Sequence, residues 1–118
     1  MELITSIVFS REKPTFYDEY WSASKTGASC LRGYRIGEQV IIVGEHIYAS
    51  DYCSYMFAGY NTYGDKLWSS LIAIDGLSLL DTSCVTSMKM MFAYTRLREL
   101  KGIEYWDVSN VTDFTAMF

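Results

Sequence analysis

Histidine, proline and cysteine are scarce in this sequence of 118 residues, and each scarcity narrows what the protein can do. The sequence holds one histidine, His46, together with one proline and three cysteines. Any Ser-His-Asp, Cys-His or His-based zinc site would have to be built around His46. No sequence signature of such a site lies near it, so we expect this histidine to be structural. The sequence therefore predicts no enzyme, no cofactor and no metal site.

Paired cysteines and long apolar runs are also lacking. Cys30, Cys53 and Cys84 form no CxxC pair, which indicates neither a disulfide framework nor a zinc site and fits a reducing compartment. No apolar run is long enough to span a membrane, and Glu2 stands where a signal peptide carries positive charge. We therefore predict no membrane span, and a cytoplasmic location in a bacterial host rather than the cell surface.

Positive charge is not in excess either. Ten Lys and Arg against fourteen Asp and Glu give a net charge of −4. A dedicated nucleic-acid binder normally presents a basic face, so we expect no direct nucleic-acid partner. Gly33 and Gly37 are isolated turn candidates rather than a phosphate loop. Aromatic residues, by contrast, are plentiful, with ten Tyr, six Phe and three Trp. A small core cannot bury them all, and exposed Tyr and Trp are common interface anchors.

An internal repeat is the most informative feature of the sequence. Residues 71–92 align with residues 97–118 without a gap, at a spacing of 26 residues. Eight of the 22 aligned positions are identical: Leu71/Leu97, Gly76/Gly102, Asp81/Asp107, Ser83/Ser109, Val85/Val111, Thr86/Thr112, Met91/Met117 and Phe92/Phe118. A weaker echo at Cys53–Ala58 precedes them. Extra residues near 59–67 break the period there and predict a looped insertion.

Each repeat is expected to contain a short strand followed by a short helix. Leu97, Leu100 and Ile103 suggest the strand, with a turn at 104–106. Valine and aromatic or methionine residues then recur at i, i+3 and i+7, the spacing of one helix face. The residues on these faces are Val85, Met88 and Phe92 in one copy and Val111, Phe114 and Phe118 in the next. Such units bury their apolar faces against one another, which predicts a solenoid.

The repeat resembles a known family. Residues 80–88 (LDTSCVTSM) and 106–113 (WDVSNVTD), each followed by Met-Phe, are similar to the LDTSNVTDM…MF signature of BspA-type leucine-rich repeats. These repeats of 26 residues occur in bacterial surface proteins and lipoproteins, and in predicted phage proteins. The resemblance covers about residues 50–118. It implies a leucine-rich-repeat solenoid, a role in adhesion or partner recognition, and no enzymatic activity.

The first 49 residues show no repeat. Leu3–Phe9 and Gln39–Tyr48 are rich in β-branched residues and predict strands. Because a short solenoid needs a capping element, we expect residues 1–49 to form an antiparallel β cap. The predicted fold is α+β: two to three repeats in residues 50–118 stacked on this cap as a single folding unit. We also expect the edge of the last repeat to be a surface for self-association.

Two surfaces are candidates for binding a partner protein. The first is the insertion and its rim, since loops added to one face of a solenoid often carry binding. The second is an aromatic and acidic cluster in the N-terminal part. Ordinary packing is an equally good interpretation of both. The candidate residues are Tyr60, Tyr63 and Trp68 in the insertion, and Phe16, Tyr17, Tyr20 and Trp21 in the cluster.

Other polar residues of the repeat have structural interpretations. Asp81, Asp107 and Asp113 lack the dense spacing of calcium loops, so we expect them to cap backbone N–H groups. Cys84 aligns with Asn110, which suggests a buried ladder position. A reactive thiol is not expected, because Cys84 has no cationic neighbour in the sequence.

Two functions follow from these features. One is a non-enzymatic recognition module of the bacterial surface-repeat type. The other is a small protein of a phage or mobile element that binds and inhibits a host protein, such as a defence nuclease. The second draws on the absent signal peptide, the unpaired cysteines and the acidic balance.

Overall fold

A computed structural model describes residues 4–22, 32–50, 52–60 and 63–118 of the chain. Seven strands are present in these ranges. They are β1 (Ser6–Ser10), β2 (Glu19–Ser22), β3 (Arg32–Ile36), β4 (Gln39–Val43), β5 (Ile47–Tyr48), β6 (Ala73–Asp75) and β7 (Leu80–Asp81). Two 3-10 helices of three residues each, Leu77–Leu79 and Ile103–Tyr105, complete the regular structure of the described residues.

Five of the strands form a mixed sheet with the order β2-β3-β4-β1-β6. Strand β1 is parallel to both of its neighbours, whereas β2, β3 and β4 pair antiparallel. The register aligns Ile7 with Val40 and with Ile74, so three buried side chains share the inner face of the sheet. Alternation along each strand places the neighbouring residues, such as Val8, on the outer face.

The repeats stack in register against this inner face. Strands β5 and β7 pair in parallel, and parallel bridges then join Tyr52 to Ser87 and Ser87 to Asp113. After each bridge position the chain folds into tight turns. We call these segments, residues 52–59, 87–93 and 113–118, the first, second and third turn units.

A ladder of phenylalanine rings forms the centre of the stack. The rings of Phe57 and Phe92 lie 5.5 Å apart and nearly parallel, and those of Phe92 and Phe118 lie 5.8 Å apart. Phe9 of β1 contacts Phe57 edge-on, which joins the ladder to the sheet. Phe57 and Phe92 are buried, whereas Phe118 is 74% exposed. Aromatic stacking at this spacing adds to the burial of the rings.

The predicted helix in each repeat is wrong. The described residues contain no α-helix, and the segments with helical spacing are turns. One equivalent residue in every turn unit has a positive φ: 61° at Tyr55, 53° at Met90 and 49° at Ala116. This left-handed conformation interrupts a right-handed helix. The protein is therefore mostly sheet and is not a helix-bearing solenoid.

The antiparallel cap is also wrong, because the N-terminal strands belong to the mixed sheet and β6 from the repeat region joins it. The strand expected at Leu3–Phe9 is β1, and that expected at Gln39–Tyr48 is divided into β4 and β5. Leu97 and Leu100 lie outside any strand. In the described part of the chain, no helix has the length and apolarity needed to cross a bilayer.

Candidate functional site

An aromatic cluster lies on the outer face of the sheet, beside its β2 edge. Tyr20 of β2 pairs across the strands with Tyr34 of β3, so both side chains point to the same face. The ring of Tyr17 lies 5.5 Å from that of Tyr20 and 4.9 Å from that of Tyr34. Tyr34 is buried beneath the other two, whereas Tyr20 is 63% exposed. We call Tyr17, Tyr20 and Tyr34 the aromatic cluster.

A network around Arg35 holds the cluster in place. The Arg35 guanidinium contacts Asp18 at 3.5 Å and Glu19 at 3.4 Å, and donates a hydrogen bond to the Gly37 carbonyl. The Gly37 N–H donates in turn to the Asp18 carboxylate at 2.7 Å. The backbone N–H of Asp18 donates to the Arg35 carbonyl at 2.7 Å. These bonds hold Asp18 and Glu19, the two residues that lie between Tyr17 and Tyr20 in the sequence.

The other two members of the predicted N-terminal set lie apart from this cluster. Trp21 pairs with Gly33 and points to the opposite face, where its indole covers the glycine so closely that a Cβ there would lie 2.3 Å from the ring. Phe16 precedes β2 and is 70% exposed. The structure thus brings Tyr17 and Tyr20 together, leaves Phe16 exposed nearby and gives Trp21 a packing role.

The three candidate residues of the insertion also lie in different environments. A bridge between Tyr60 and Lys66 closes the base of the loop, and Tyr63 is 90% exposed. Trp68 turns back onto the first turn unit, where its indole N–H donates to the Met56 carbonyl at 3.0 Å. It packs against the core and lines an apolar cleft of about 220 Å³ with Phe9, Ile42, Tyr48 and other residues. Tyr63, not Trp68, is the exposed aromatic of this loop.

His46 pairs with an aspartate of the repeat. Its Nε2 atom donates to the Asp81 carboxylate at 2.7 Å, and its ring stacks on Tyr48 at 4.0 Å. The side-chain and backbone donors of Ser83, and then the His46 imidazole, lower the pKa of Asp81 from 3.8 to about 2. A polar cleft of about 270 Å³ beside this pair is also lined by Arg11, Glu45, Tyr105 and Asp107. Because acids and a base share this lining, the cleft does not select one sign of charge.

The repeated aspartates accept hydrogen bonds from backbone N–H groups two residues further along the chain. Asp107 accepts hydrogen bonds from the N–H and the hydroxyl of Ser109, which lower its pKa, and Asp113 accepts the N–H of Thr115. These bonds close tight turns, where we expected helix caps. Among the described residues, no group of three or more His, Cys, Asp or Glu side chains could hold a metal ion.

The buried ladder position predicted for Cys84 and Asn110 is wrong. Cys84 is exposed rather than buried, and Asn110, which aligns with it, is also exposed and donates to the Ser83 carbonyl at 2.6 Å. Cys53 is buried in the core. Cys30 lies outside the described residues.

Sequence reasoning missed Tyr34, the buried base of the aromatic cluster. Strand β3 reads Arg-Gly-Tyr-Arg-Ile, which is too polar to predict a strand, and Gly33 was expected in a turn. Gly33 lies within β3, and Gly37, with a φ of 59°, makes the turn to β4. The local sequence around Tyr34 gave no signal of its place in the cluster, because that place depends on the pairing of β3 with β2.

Comparison with known proteins identifies one family. Residues 52–118 match the family model described as "Mycoplasma protein of unknown function, DUF285", a family associated with BspA-like repeat proteins. No curated protein and no solved structure matches the chain significantly. The matched residues contain all three turn units.

Proposed function

The chain belongs to the DUF285 family, and on that premise we propose that it is a non-enzymatic protein-recognition module of the bacterial surface-repeat type. The aromatic cluster is its partner-binding surface. The observation that carries this proposal is a pair of exposed tyrosine rings, Tyr17 and Tyr20, that pack on each other and on Tyr34 at an edge of the sheet.

The chemistry of the cluster fits protein binding. Tyrosine provides a large apolar contact area and a hydroxyl that can bond to a partner, and it loses little conformational entropy when it is buried. Tyr17 and Tyr20 rest on Tyr34, so a partner that covers them would complete a small apolar layer. Val8 and Ile41, both half-buried, extend this layer along the outer face towards β1. Asp18, which is ion-paired with Arg35, lies between Tyr17 and the strand and adds a polar group beside this layer.

A recognition role also accounts for what the other polar groups do. His46 is held by Asp81 and Tyr48, which ties the segment around β5 to that around β7. The repeated aspartates close turns. These groups therefore have structural partners, and the proposal assigns no catalytic step to them.

Capture of a partner by tyrosine variants tests the proposal. The tagged chain is used as bait in a lysate of the organism that encodes it, and captured proteins are quantified by mass spectrometry. We expect Tyr20→Ala and Tyr17→Ala to weaken capture of a specific partner by about tenfold or more, as interface anchors do. Tyr105→Ala is the matched control, since Tyr105 is 76% exposed and lies outside the cluster.

A fourth variant separates the two predicted surfaces. Tyr63→Ala removes the exposed ring of the insertion. Loss of capture with Tyr63→Ala but not with Tyr20→Ala would move the binding site to the insertion. Equal capture by all the variants, or no protein enriched over a mock bait, would refute the proposal.

A further inference from the structure

The apolar cleft beside Trp68 lies where the repeat region meets the sheet. Ile42 of β4 lies on the inner face of the sheet, in register with Phe9 of β1, and both residues line the cleft. Phe57 of the first turn unit and Trp68 of the insertion line it as well. Three separate parts of the chain therefore meet around one space of about 220 Å³.

The lining of this cleft offers little to a polar or charged molecule. Its residues are apolar or aromatic, and none of the described side chains that line it is charged. The Met56 carbonyl already accepts the Trp68 indole N–H at 3.0 Å. A buried water molecule needs two to four polar partners, so water is held poorly here. An apolar molecule that displaces poorly held water gains affinity.

The depth of the cleft favours a small molecule over a protein partner. Phe9, Phe57 and Ile47 in its lining are 8%, 4% and 3% exposed, so its floor belongs to the core. Ile42 is half-buried and Tyr48 is 61% exposed, which places them nearer the mouth. The surface of a partner protein would touch the mouth, whereas a small molecule can also contact the floor.

Two aromatic residues of the lining are held by contacts within the protein. The indole N–H of Trp68 bonds to the Met56 carbonyl, and its backbone N–H donates to the Ala58 carbonyl at 3.1 Å. The ring of Tyr48 stacks on that of His46 at 4.0 Å. The indole bond and the stacking act on the rings themselves, so they favour the orientations that form the cleft. A site formed in this way loses less free energy to ordering when a ligand binds.

We propose that this cleft binds a small uncharged aromatic molecule about the size of one substituted ring. A cavity of about 150 Å³ lined by Leu, Ile and Phe binds benzene, so a cleft of about 220 Å³ has room for such a ring with a substituent. The aromatic side chains of the lining provide edge and face contacts, and Met56 adds a sulfur atom that interacts favourably with aromatic rings. The cleft is on the inner face of the sheet and the aromatic cluster is on the outer face, so either site can fail without the other.

Titration with toluene, followed by NMR, tests the proposal. Toluene is added to the isotope-labelled protein, and the indole N–H resonance of Trp68 is followed. We expect a saturable shift of this resonance with a Kd below about 1 mM. Trp106 is the internal control. Its indole N–H also donates to a backbone carbonyl, that of Leu77 at 2.8 Å, but its ring does not line the cleft, so its resonance should not shift.

An Ile42→Phe variant fills the cleft from the sheet side. The added ring atoms occupy the space that toluene would take, so we expect the Kd to rise about tenfold or more. Ile72→Phe is the matched control, because Ile72 is 38% exposed and does not line the cleft. This control should leave the Kd unchanged. An unshifted Trp106 indole resonance in each variant shows that it has folded.

Nuclear Overhauser effects between toluene and the methyl groups of the unchanged protein give a second measurement, which decides if Ile42→Phe does not fold. We expect these effects at Ile42 and Met56 and not at Ile72. The proposal would be overturned by the lack of a saturable shift at Trp68, or by equal shifts at Trp68 and Trp106. An unchanged Kd in folded Ile42→Phe, or Overhauser effects only at methyl groups outside the cleft, would also overturn it.

Discussion

Gly76 provides the sharpest test of how the repeat meets the sheet. It precedes the 3-10 helix Leu77–Leu79 with a φ of 81°, and a Cβ there would lie 2.1 Å from the Phe9 carbonyl oxygen. Phe9 belongs to β1, which is paired on both sides, so its carbonyl cannot shift without disturbing the sheet. Gly37 is the matched control, because its φ is 59° and no heavy atom lies within 4 Å of its Cβ position.

Both alanine variants place an L-residue in a left-handed backbone conformation, but only one of them also creates a steric clash. A left-handed backbone costs an L-residue about 1–2 kcal/mol, and both Gly76→Ala and Gly37→Ala bear this cost. Only Gly76→Ala also forces a methyl group into a packed contact, which typically costs about 1–3 kcal/mol. We therefore expect Gly76→Ala to lower the free energy of unfolding by about 1–3 kcal/mol more than Gly37→Ala. At about 4 °C per kcal/mol, the midpoints should differ by about 4–12 °C.

Thermal unfolding followed by circular dichroism measures this difference. Equal midpoints for the two variants would refute the close approach of the repeat to β1. If Gly76→Ala gives no folded protein, Gly102→Ala takes its place. Gly102 is the equivalent residue of the next repeat, with a φ of 94° and a Cβ position 2.7 Å from the Ser78 nitrogen. An intermediate effect is expected there.

Two further predictions concern charge and packing. The pKa of Asp81 in the folded protein, about 2, is below its ordinary value of 3.8, so its ionised carboxylate stabilises the fold above about pH 4 and this contribution is lost as the pH falls towards 2. Urea unfolding should show Asp81→Asn to be less stable than the unchanged protein at pH 7, with the gap closing between pH 4 and pH 2; a constant gap would contradict the assignment. Phe92→Ala should destabilise by about 3–5 kcal/mol, because Phe92 is buried between two rings, whereas Phe118→Ala should cost under about 1 kcal/mol. Similar losses in the two variants would contradict the ladder.

The aromatic cluster shows how far a candidate site can be read from sequence. The sequence shows an aromatic segment at residues 16–21, but it does not show which of these side chains point to the same face of the sheet. Strand register does so, since Tyr20 opposes Tyr34 and Trp21 opposes Gly33. Tyr34 lies in a polar strand that periodicity does not reveal. The face to which each aromatic side chain points therefore depends on the pairing of strands that are distant in the sequence, and no local sequence pattern determines that pairing.

The repeat itself was determined by the sequence. Identities at a spacing of 26 residues fixed which residues are equivalent, and the structure places equivalent residues such as Thr86 and Thr112 in direct contact. Each unit buries its apolar residues against the next unit. Apolar residues must therefore recur at equivalent positions, every 26 residues.

Only the tertiary structure decided what conformation the repeat adopts. The spacing of Val85, Met88 and Phe92 suits a helix face, yet these residues lie in turns. A segment this short gains little from its own helical hydrogen bonds, because helix nucleation is costly. Its N–H groups bond instead to the carbonyls of the neighbouring unit, as the Phe92 N–H does with Met117. Periodicity shows which side chains point inward, whereas the partners of the backbone depend on the stack as a whole.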